Sequence, residues 1–195
     1  MKAYVCVVGR TGAGKETVYK MITEEFAGVF SLCIHRFSDP LNEILDLLGL
    51  PRERENQQGL STDLRKRFGE ELLGNILHSR ALSSATNVVF IDGVRRPKDV
   101  VMLRKLTNNF LISVSASPEK CYDRLKQRAD RPGDAEKTWE QFLKEQAAEA
   151  ESMIDELAKE ADFKIDNSGT TEELRLQVKS FIREKLEPIY NKEAY

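Results

Sequence analysis

A short apolar run leads directly into a glycine-rich segment, and this pairing constrains the fold of the chain more than any other feature. The run is AYVCVV (3–8), and the segment GRTGAGK (9–15) follows it without a break. Apolar residues then recur at helical spacing from Val18 to Phe26. A buried strand that passes through a glycine turn into a helix is the context that a phosphate-binding loop requires.

The residue types of this loop suit a bound triphosphate. Glycines let the backbone curl until several N–H groups point at one anion, and the helix start adds its positive dipole end. Lys15 can reach the outer phosphates. The strict motif has Ser or Thr after the lysine to hold magnesium, but here Glu16 stands there and Thr17 follows. The residues expected to contact the nucleotide are Gly9, Thr11, Gly12, Ala13, Gly14, Lys15, Glu16 and Thr17.

Chance decay of the motif is the simplest alternative, but the strand–loop–helix setting argues against it. A dinucleotide-binding loop fits less well, because Lys15 would have no function there and no acid follows the second strand at the required place.

Apolar runs alternate with helical patterns along the rest of the chain. Strands are predicted at 31–37, 87–92, 110–116 and 163–165, each apolar enough to be buried on both faces of a parallel sheet. The pattern predicts an α/β fold of three layers, with helices on both faces of the sheet.

The helix starts carry recognisable signals. Asp39, as N-cap before Pro40, predicts a helix start. The polar stretch 52–59 precedes what reads as one longer helix reaching Leu77. A capping box formed by Thr138 and Gln141 predicts one long helix reaching 157, and Thr170 with Glu173 predicts a last helix.

Composition excludes several classes of protein. The chain has 195 residues, 30 basic and 32 acidic side chains, and therefore a net charge of -2, which is not the balance of a protein that coats nucleic acid or an anionic membrane. Three cysteines without metal-like spacing argue against a zinc site or a disulfide framework. We expect a cytoplasmic globular protein, with no nucleic-acid or membrane partner.

Six segments resemble a known superfamily. GRTGAGKET (9–17) is similar to the loop of adenylate kinases, and the stretches 88–106 and 110–128 resemble small archaeal adenylate-kinase-related proteins. The stretch 161–178 resembles both those proteins and dephospho-coenzyme A kinases. The segments FSDPLNEILDLLGL and STDLRKRFG look more like deoxynucleoside monophosphate kinases.

On these motifs the chain is identified as a member of the P-loop nucleotide-kinase superfamily. The resemblance implies a five-stranded parallel sheet in the order 2-3-1-4-5, within a single domain over 1–195. It also implies an acceptor-binding insert at about 38–85 and a short lid at about 124–137. The implied cofactors are ATP and Mg²⁺.

The resemblance implies roles for further site residues, and each of these residues also has a simpler structural explanation. Asp92 ends the third strand and would orient magnesium with Thr17, or else merely cap a turn. Arg95 and Arg96 would grip the acceptor phosphate, as planar guanidinium groups do, or form a solvated pair. Asn167 would contact the adenine side of ATP, or serve an ordinary turn.

The lid and the insert supply the remaining candidates. In this superfamily, arginines of the lid stabilise charge on the transferring phosphoryl group. The resemblance implies this role for Arg124, Arg128 and Arg131. Alternatively, these arginines form an exposed basic helix face. Within the insert, the side chains expected to meet the acceptor are Asp39, Arg65, Gln57 and Gln58.

The expected activity is transfer of the γ-phosphoryl group of ATP onto a nucleoside or deoxynucleoside monophosphate. A kinase resembling dephospho-coenzyme A kinase is the alternative within the same chemistry, and a catalytically silent nucleotide-binding protein is another. A GTPase switch fits poorly, because the segment 92–95 is not Asp-x-x-Gly and the chain contains no Asn-Lys-x-Asp. A monomer and a homodimer both remain open.

Overall fold

Five strands form the sheet of the computed structural model, which describes residues 1–27, 29–127, 136–147 and 149–190. The strands are β1 (Ala3–Val8), β2 (Leu32–Arg36), β3 (Val88–Val94), β4 (Asn109–Ser115) and β5 (Phe163–Asp166). All neighbours run parallel, in the order β2-β3-β1-β4-β5. The three-layer fold predicted from alternation is confirmed, as is the strand order implied by resemblance.

Helices occupy the connections between the strands. They are α1 (Lys15–Glu25), α2 (Asp39–Leu47), α3 (Arg54–Phe68), α4 (Leu72–Ser83), α5 (Pro97–Leu103), α6 (Pro118–Gln127), α7 (Trp139–Gln146), α8 (Glu149–Lys159), α9 (Thr171–Phe181) and α10 (Glu187–Tyr190). A π-helical segment, Ile182–Leu186, joins α9 to α10. None of the helices in the described part of the chain is long and apolar enough to cross a membrane.

The central strand β1 is buried along its whole length, and its alternate side chains enter two separate cores. Val5 and Val7 pack with Phe90 beneath α1 and α9, whereas Cys6 and Val8 pack on the opposite face beneath α4, α5 and α8. A strand that is apolar on both faces can lie only inside such a sandwich, which explains the central position of β1.

Three predicted helix boundaries were wrong. The helix after β2 begins with Asp39 already inside it and Ser38 as N-cap, because the Asp39 carboxylate turns back to accept a hydrogen bond from the Arg36 N–H at 2.6 Å. The polar stretch 52–59 is mostly helical, since α3 begins at Arg54. The single helix predicted through Leu77 is two helices, because Gly69 adopts a φ of +102° and ends α3.

The helix predicted from Thr138 to 157 is also two helices, α7 and α8. Phe142 of α7 packs in the core beneath α1 and α9, whereas Ile154 and Leu157 of α8 pack in the core on the other face of the sheet. One straight helix cannot serve both faces, so the chain turns after Gln146. The capping boxes of α7 and α9 form as predicted.

Candidate active site

The glycine-rich loop lies between β1 and α1 at the carboxyl edge of the sheet, where open α/β sheets bind their ligands. A Cβ at Gly9 would lie 2.4 Å from the carbonyl oxygen of Val114 in β4. Gly14 has a φ of +93°, and a Cβ there would lie 2.1 Å from Nδ2 of Asn167. Both positions therefore require glycine, one for a close backbone approach and the other also for its left-handed conformation.

Lys15 and Asp92 meet at this edge. The ammonium of Lys15 donates to the carbonyl oxygens of Gly9 at 2.9 Å and Arg10 at 3.3 Å, and its Nζ lies 4.0 Å from Oδ1 of Asp92. That Oδ1 atom is buried and accepts no hydrogen bond from any described residue. A buried carboxylate oxygen without a donor needs a cation or a water molecule, so it suits the edge of a magnesium–phosphate site.

A magnesium ion fits this donor set better than a metal that needs a full cage of side chains. Within the described ranges, no three His, Cys, Asp or Glu side chains are grouped to hold a metal. Magnesium commonly takes one or two carboxylates together with substrate phosphates and water. Asp92 therefore suits it as a single protein ligand, direct or through water.

Arg124 and Asn167 brace the loop from the side of β5. The Asn167 amide donates to the carbonyl oxygen of Ala13 at 2.9 Å and is almost fully buried. Arg124 donates to the backbone oxygen of Asn167 at 2.9 Å and to that of Gly12 at 3.4 Å. The structure thus brings both residues to the loop, where each donates to one loop carbonyl group and Arg124 also donates to Asn167.

Arg10 is a loop residue that sequence reasoning missed. Its guanidinium donates to the carbonyl oxygen of Gln146 at 2.9 Å, to the side chain of Gln146 at 3.0 Å, and to Asp155 at 2.8 Å. The phosphate loop is therefore fastened to the end of α7 and to α8. The position of Arg10 between two motif residues gave no signal, because its partners lie 136 and 145 residues away.

Arg36 was also missed. It is the last residue of β2 and lies directly opposite Asp92 in the β2–β3 ladder. Its place at the carboxyl end of a strand beside Asp92 was a signal available in the sequence once the strand order was known.

The two residues after Lys15 are exposed. Glu16 forms an ion pair with Lys20 one turn along α1 at 3.4 Å, as expected for an acid in the first turn of a helix. Thr17 is exposed on the same helix.

Two of the candidate acceptor residues, Arg65 and Arg96, meet at one carboxylate oxygen of Glu70, at 4.0 Å and 2.9 Å, and the others are engaged in contacts of their own. Arg95 is half-buried directly after β3, and Arg96 pairs with Glu70 at 2.9 Å. Asp39 is engaged with the Arg36 backbone, and the Gln57 amide donates to Asn42 at 2.6 Å. Arg128 and Arg131, with most of the expected lid, lie outside the described residues.

Arg65 lies in a buried ion pair. Its Nη2 atom is 3.0 Å and 3.1 Å from the two carboxylate oxygens of Asp99, and its Nη1 atom donates to the backbone of Glu70. Arg65 is 5% exposed and Asp99 is 1% exposed. The pair joins α3 to α5 and fixes one side of the insert to the sheet.

We predict that Arg65→Met lowers the free energy of unfolding by about 3–5 kcal/mol at pH 8, because it leaves Asp99 charged, buried and alone. Burial already raises the pKa of Asp99 to about 6 against the influence of Arg65. The folded state thus favours the protonated carboxyl, and this stabilisation is lost as the pH rises through about 6. Without Arg65 the pKa rises further, so the deficit should shrink between pH 8 and pH 5.

Urea titration at both pH values measures this deficit. Arg67→Met on the exposed face of α3 is the control. A deficit that stays constant with pH would show that lost packing, rather than an unpaired carboxylate, causes the instability.

The loop, the sheet order and the Lys15–Asp92 pair together define a protein of the P-loop nucleotide-kinase superfamily. The model of the AAA domain family matches residues 5–153, and the chain belongs to that family.

Relatives of similar length cover nearly the whole chain. A UPF0200 protein of Thermococcus kodakarensis is 29% identical over 185 residues, which span 92% of this chain and 96% of the relative. Another, from Staphylothermus marinus, is 29% identical over 175 residues, with 89% and 88% covered. These relatives extend the sequence likeness beyond the loop to the C-terminal part of the chain.

Solved structures share the fold at low sequence identity. Shikimate kinase from Bacteroides thetaiotaomicron has a TM-score of 0.61 at 16% identity, covering 93% of this chain and 97% of that one. A gluconokinase from Sinorhizobium meliloti has a TM-score of 0.52 at 14% identity, covering 97% of each chain. The chain therefore has the fold of small-molecule kinases.

Proposed function

We propose that this protein is an ATP-dependent phosphotransferase that moves the γ-phosphoryl group onto a nucleoside or deoxynucleoside monophosphate. One observation carries the proposal: the Lys15 ammonium lies 4.0 Å from the Oδ1 atom of Asp92, beside a loop whose close contacts require glycine. That Oδ1 atom is buried and accepts no hydrogen bond from a described residue. The glycine loop by itself accounts for nucleotide binding, and the additional unpaired Asp92 oxygen favours metal-assisted transfer over silent binding. The protein acts in the cytoplasm, as a monomer or a homodimer.

Catalysis consists mainly of positioning and charge neutralisation, and no covalent intermediate on the protein is needed. Loop N–H groups hold the β-phosphate, and Lys15 leaves the carbonyl oxygens of Gly9 and Arg10 to follow the γ-phosphoryl oxygens. Asp92 and Thr17 are the residues that would hold Mg²⁺, which neutralises phosphate charge when bound. Arg124, Arg128 and Arg131 would stabilise the charge on the transferring group.

The acceptor assignment is supported by the arginines that follow β3. Arg95 and Arg96 come directly after the strand ends at Val94, three and four residues beyond Asp92, so a phosphate that they hold would lie near the transferred group. Asn167 would face the adenine of ATP, and Asp39 and Arg65 would border the acceptor within the insert at 38–85. The lid would cover 124–137.

An acceptor screen tests the proposal. ADP release is measured with each nucleoside and deoxynucleoside monophosphate and with dephospho-coenzyme A, with a protein-free reaction and a reaction without acceptor as blanks. Acceptor-dependent release with a monophosphate is the expected result. Release with dephospho-coenzyme A alone would favour the alternative kinase, and ATP binding without release with any acceptor would indicate a silent binder.

Two substitutions test the role of Glu16, which stands where the strict phosphate-loop motif has Ser or Thr. Glu16→Gly is expected to keep turnover within a few-fold, because the exposed Glu16 carboxylate pairs only with Lys20 among the described residues. Thr17→Ala is expected to lower turnover about tenfold or more through lost phosphate or metal contacts. Steady-state kinetics at saturating Mg²⁺ compares them, and the opposite ranking would assign the magnesium contact to Glu16.

A further inference from the structure

A cavity of about 400 Å³ lies beside the phosphate loop, between the carboxyl ends of β1 and β4 and the helices α6, α7 and α8. Most of its wall is apolar. Residues that line it include Val8, Val114, Phe142, Leu143, Ile154 and Ala158. A space of this size with an apolar wall and a few polar groups has the character of a small-molecule site.

One polar group inside the wall lacks a partner. Ser113 lines the cavity from β4 and is only 6% exposed, yet its hydroxyl makes no hydrogen bond to any residue that the structure describes. It pairs in register with Val8 of β1, and Leu111, two places earlier on the same face of β4, is buried in the apolar core. A hydroxyl that faces an otherwise apolar cavity can donate a hydrogen bond to a ligand and accept one from it.

The charged groups at the rim of the cavity already pair with each other. Arg10 donates to Asp155 and to Gln146, all of which line the cavity. Ser115, on the same face of β4 as Ser113, makes a bond of 3.4 Å to the carbonyl oxygen of Ile165. Because the Arg10 and Asp155 charges neutralise each other, the cavity favours an uncharged ligand over an ionic one.

We propose that this cavity binds a small, uncharged ring compound that carries one hydrogen-bonding group, which meets the Ser113 hydroxyl. Such a ring has two chemical sources: part of the phosphoryl acceptor, or a separate effector that does not react. Because Gly9 and Arg10 belong both to the cavity wall and to the phosphate loop, either ligand would sense the nucleotide. The site itself does not depend on the proposed kinase activity.

Phenol and benzene, which differ by one hydroxyl, are suitable probes for the full-length protein. Saturation-transfer NMR and calorimetry should give a Kd for phenol on the order of 1 mM or tighter. Ser113→Ala should weaken phenol binding about fivefold and leave benzene binding unchanged, because only phenol uses the hydroxyl. Ser83→Ala, at an exposed serine in α4, is the matched control.

Filling the cavity tests its location. Ala158→Phe should raise the Kd for phenol at least tenfold, whereas Leu176→Phe on the exposed face of α9 should leave it within twofold. Leu143→Trp, at the half-exposed rim, is a second blocking variant if Ala158→Phe does not fold. Absence of phenol binding to the parent protein, or equal binding to the parent and to a folded blocking variant, would overturn the proposal.

Displacement identifies the source of the natural ligand, and it needs no turnover. If AMP or dTMP displaces phenol, the cavity holds the ring of an acceptor. If neither displaces phenol but saturating ADP changes its Kd at least threefold, the cavity is an effector site that communicates through the loop. Phenol binding that responds to none of them would overturn the link to the nucleotide site.

Discussion

Lys15→Ala is expected to lower acceptor-dependent ADP release by about 10²–10³, a loss comparable to removal of one preorganised transition-state donor. The ammonium lies at the carboxyl edge of the sheet, held by the carbonyl oxygens of Gly9 and Arg10 and close to Asp92. Phosphate oxygens of a triphosphate in the loop are charged, so they attract this ammonium more strongly than the two neutral carbonyl groups do. The free energy of unfolding should change little, because Lys15 fills no core position.

Lys20→Ala is the matched control, since Lys20 is an exposed lysine on the same helix. Initial rates are measured with the acceptor identified by the screen, and stability is measured by urea titration. Turnover that survives in Lys15→Ala would refute the assignment of the glycine segment as a phosphate loop.

Asp92→Asn is expected to lower turnover by about 10²-fold and to raise the Mg²⁺ concentration needed for half-maximal rate. The substitution keeps the size of the side chain but removes the negative charge that a cation beside the phosphates requires. Since Oδ1 of Asp92 is buried without a hydrogen-bond donor among the described residues, loss of this charge should leave the protein at least as stable as the parent.

Magnesium titrations of the initial rate separate these effects. Asp166→Asn, at an exposed carboxylate where β5 ends, is the control and should leave the titration unchanged. If Asp92→Asn lowers the rate without changing the Mg²⁺ requirement, Asp92 acts on Lys15 rather than on the metal.

The elements that sequence patterns predicted well are those whose signal is local. AYVCVV reads as a strand buried on both faces, and the capping boxes at Thr138 and Thr170 start helices where predicted. Their signals lie within a few residues, so no distant contact is needed to interpret them. The boundaries that failed depend on distant packing: the division between α7 and α8 follows from the two cores, one on each face of the sheet.

The residues of the candidate site likewise fall into those that a local signal predicts and those that only distant contacts bring together. The loop and its lysine could be predicted because the chemistry of phosphate binding is concentrated in seven consecutive residues, 9–15. Arg65 could be named as an arginine of the insert, but its partner Asp99 lies 34 residues away, and only folding brings them together. The roles of Arg128 and Arg131 stay predictions.

The sequence by itself determined the class of fold, the phosphate loop and the acid near the carboxyl end of the third strand, because periodicity and glycine spacing are local properties of a chain; the strand itself runs on to Val94. Only the tertiary structure decided which groups face one another. It set Lys15 4.0 Å from Asp92, fastened Arg10 to α7 and α8, and left the Ser113 hydroxyl in a cavity without a partner among the described residues. These distances depend on how two apolar faces of one sheet are covered, and no short stretch of sequence specifies that.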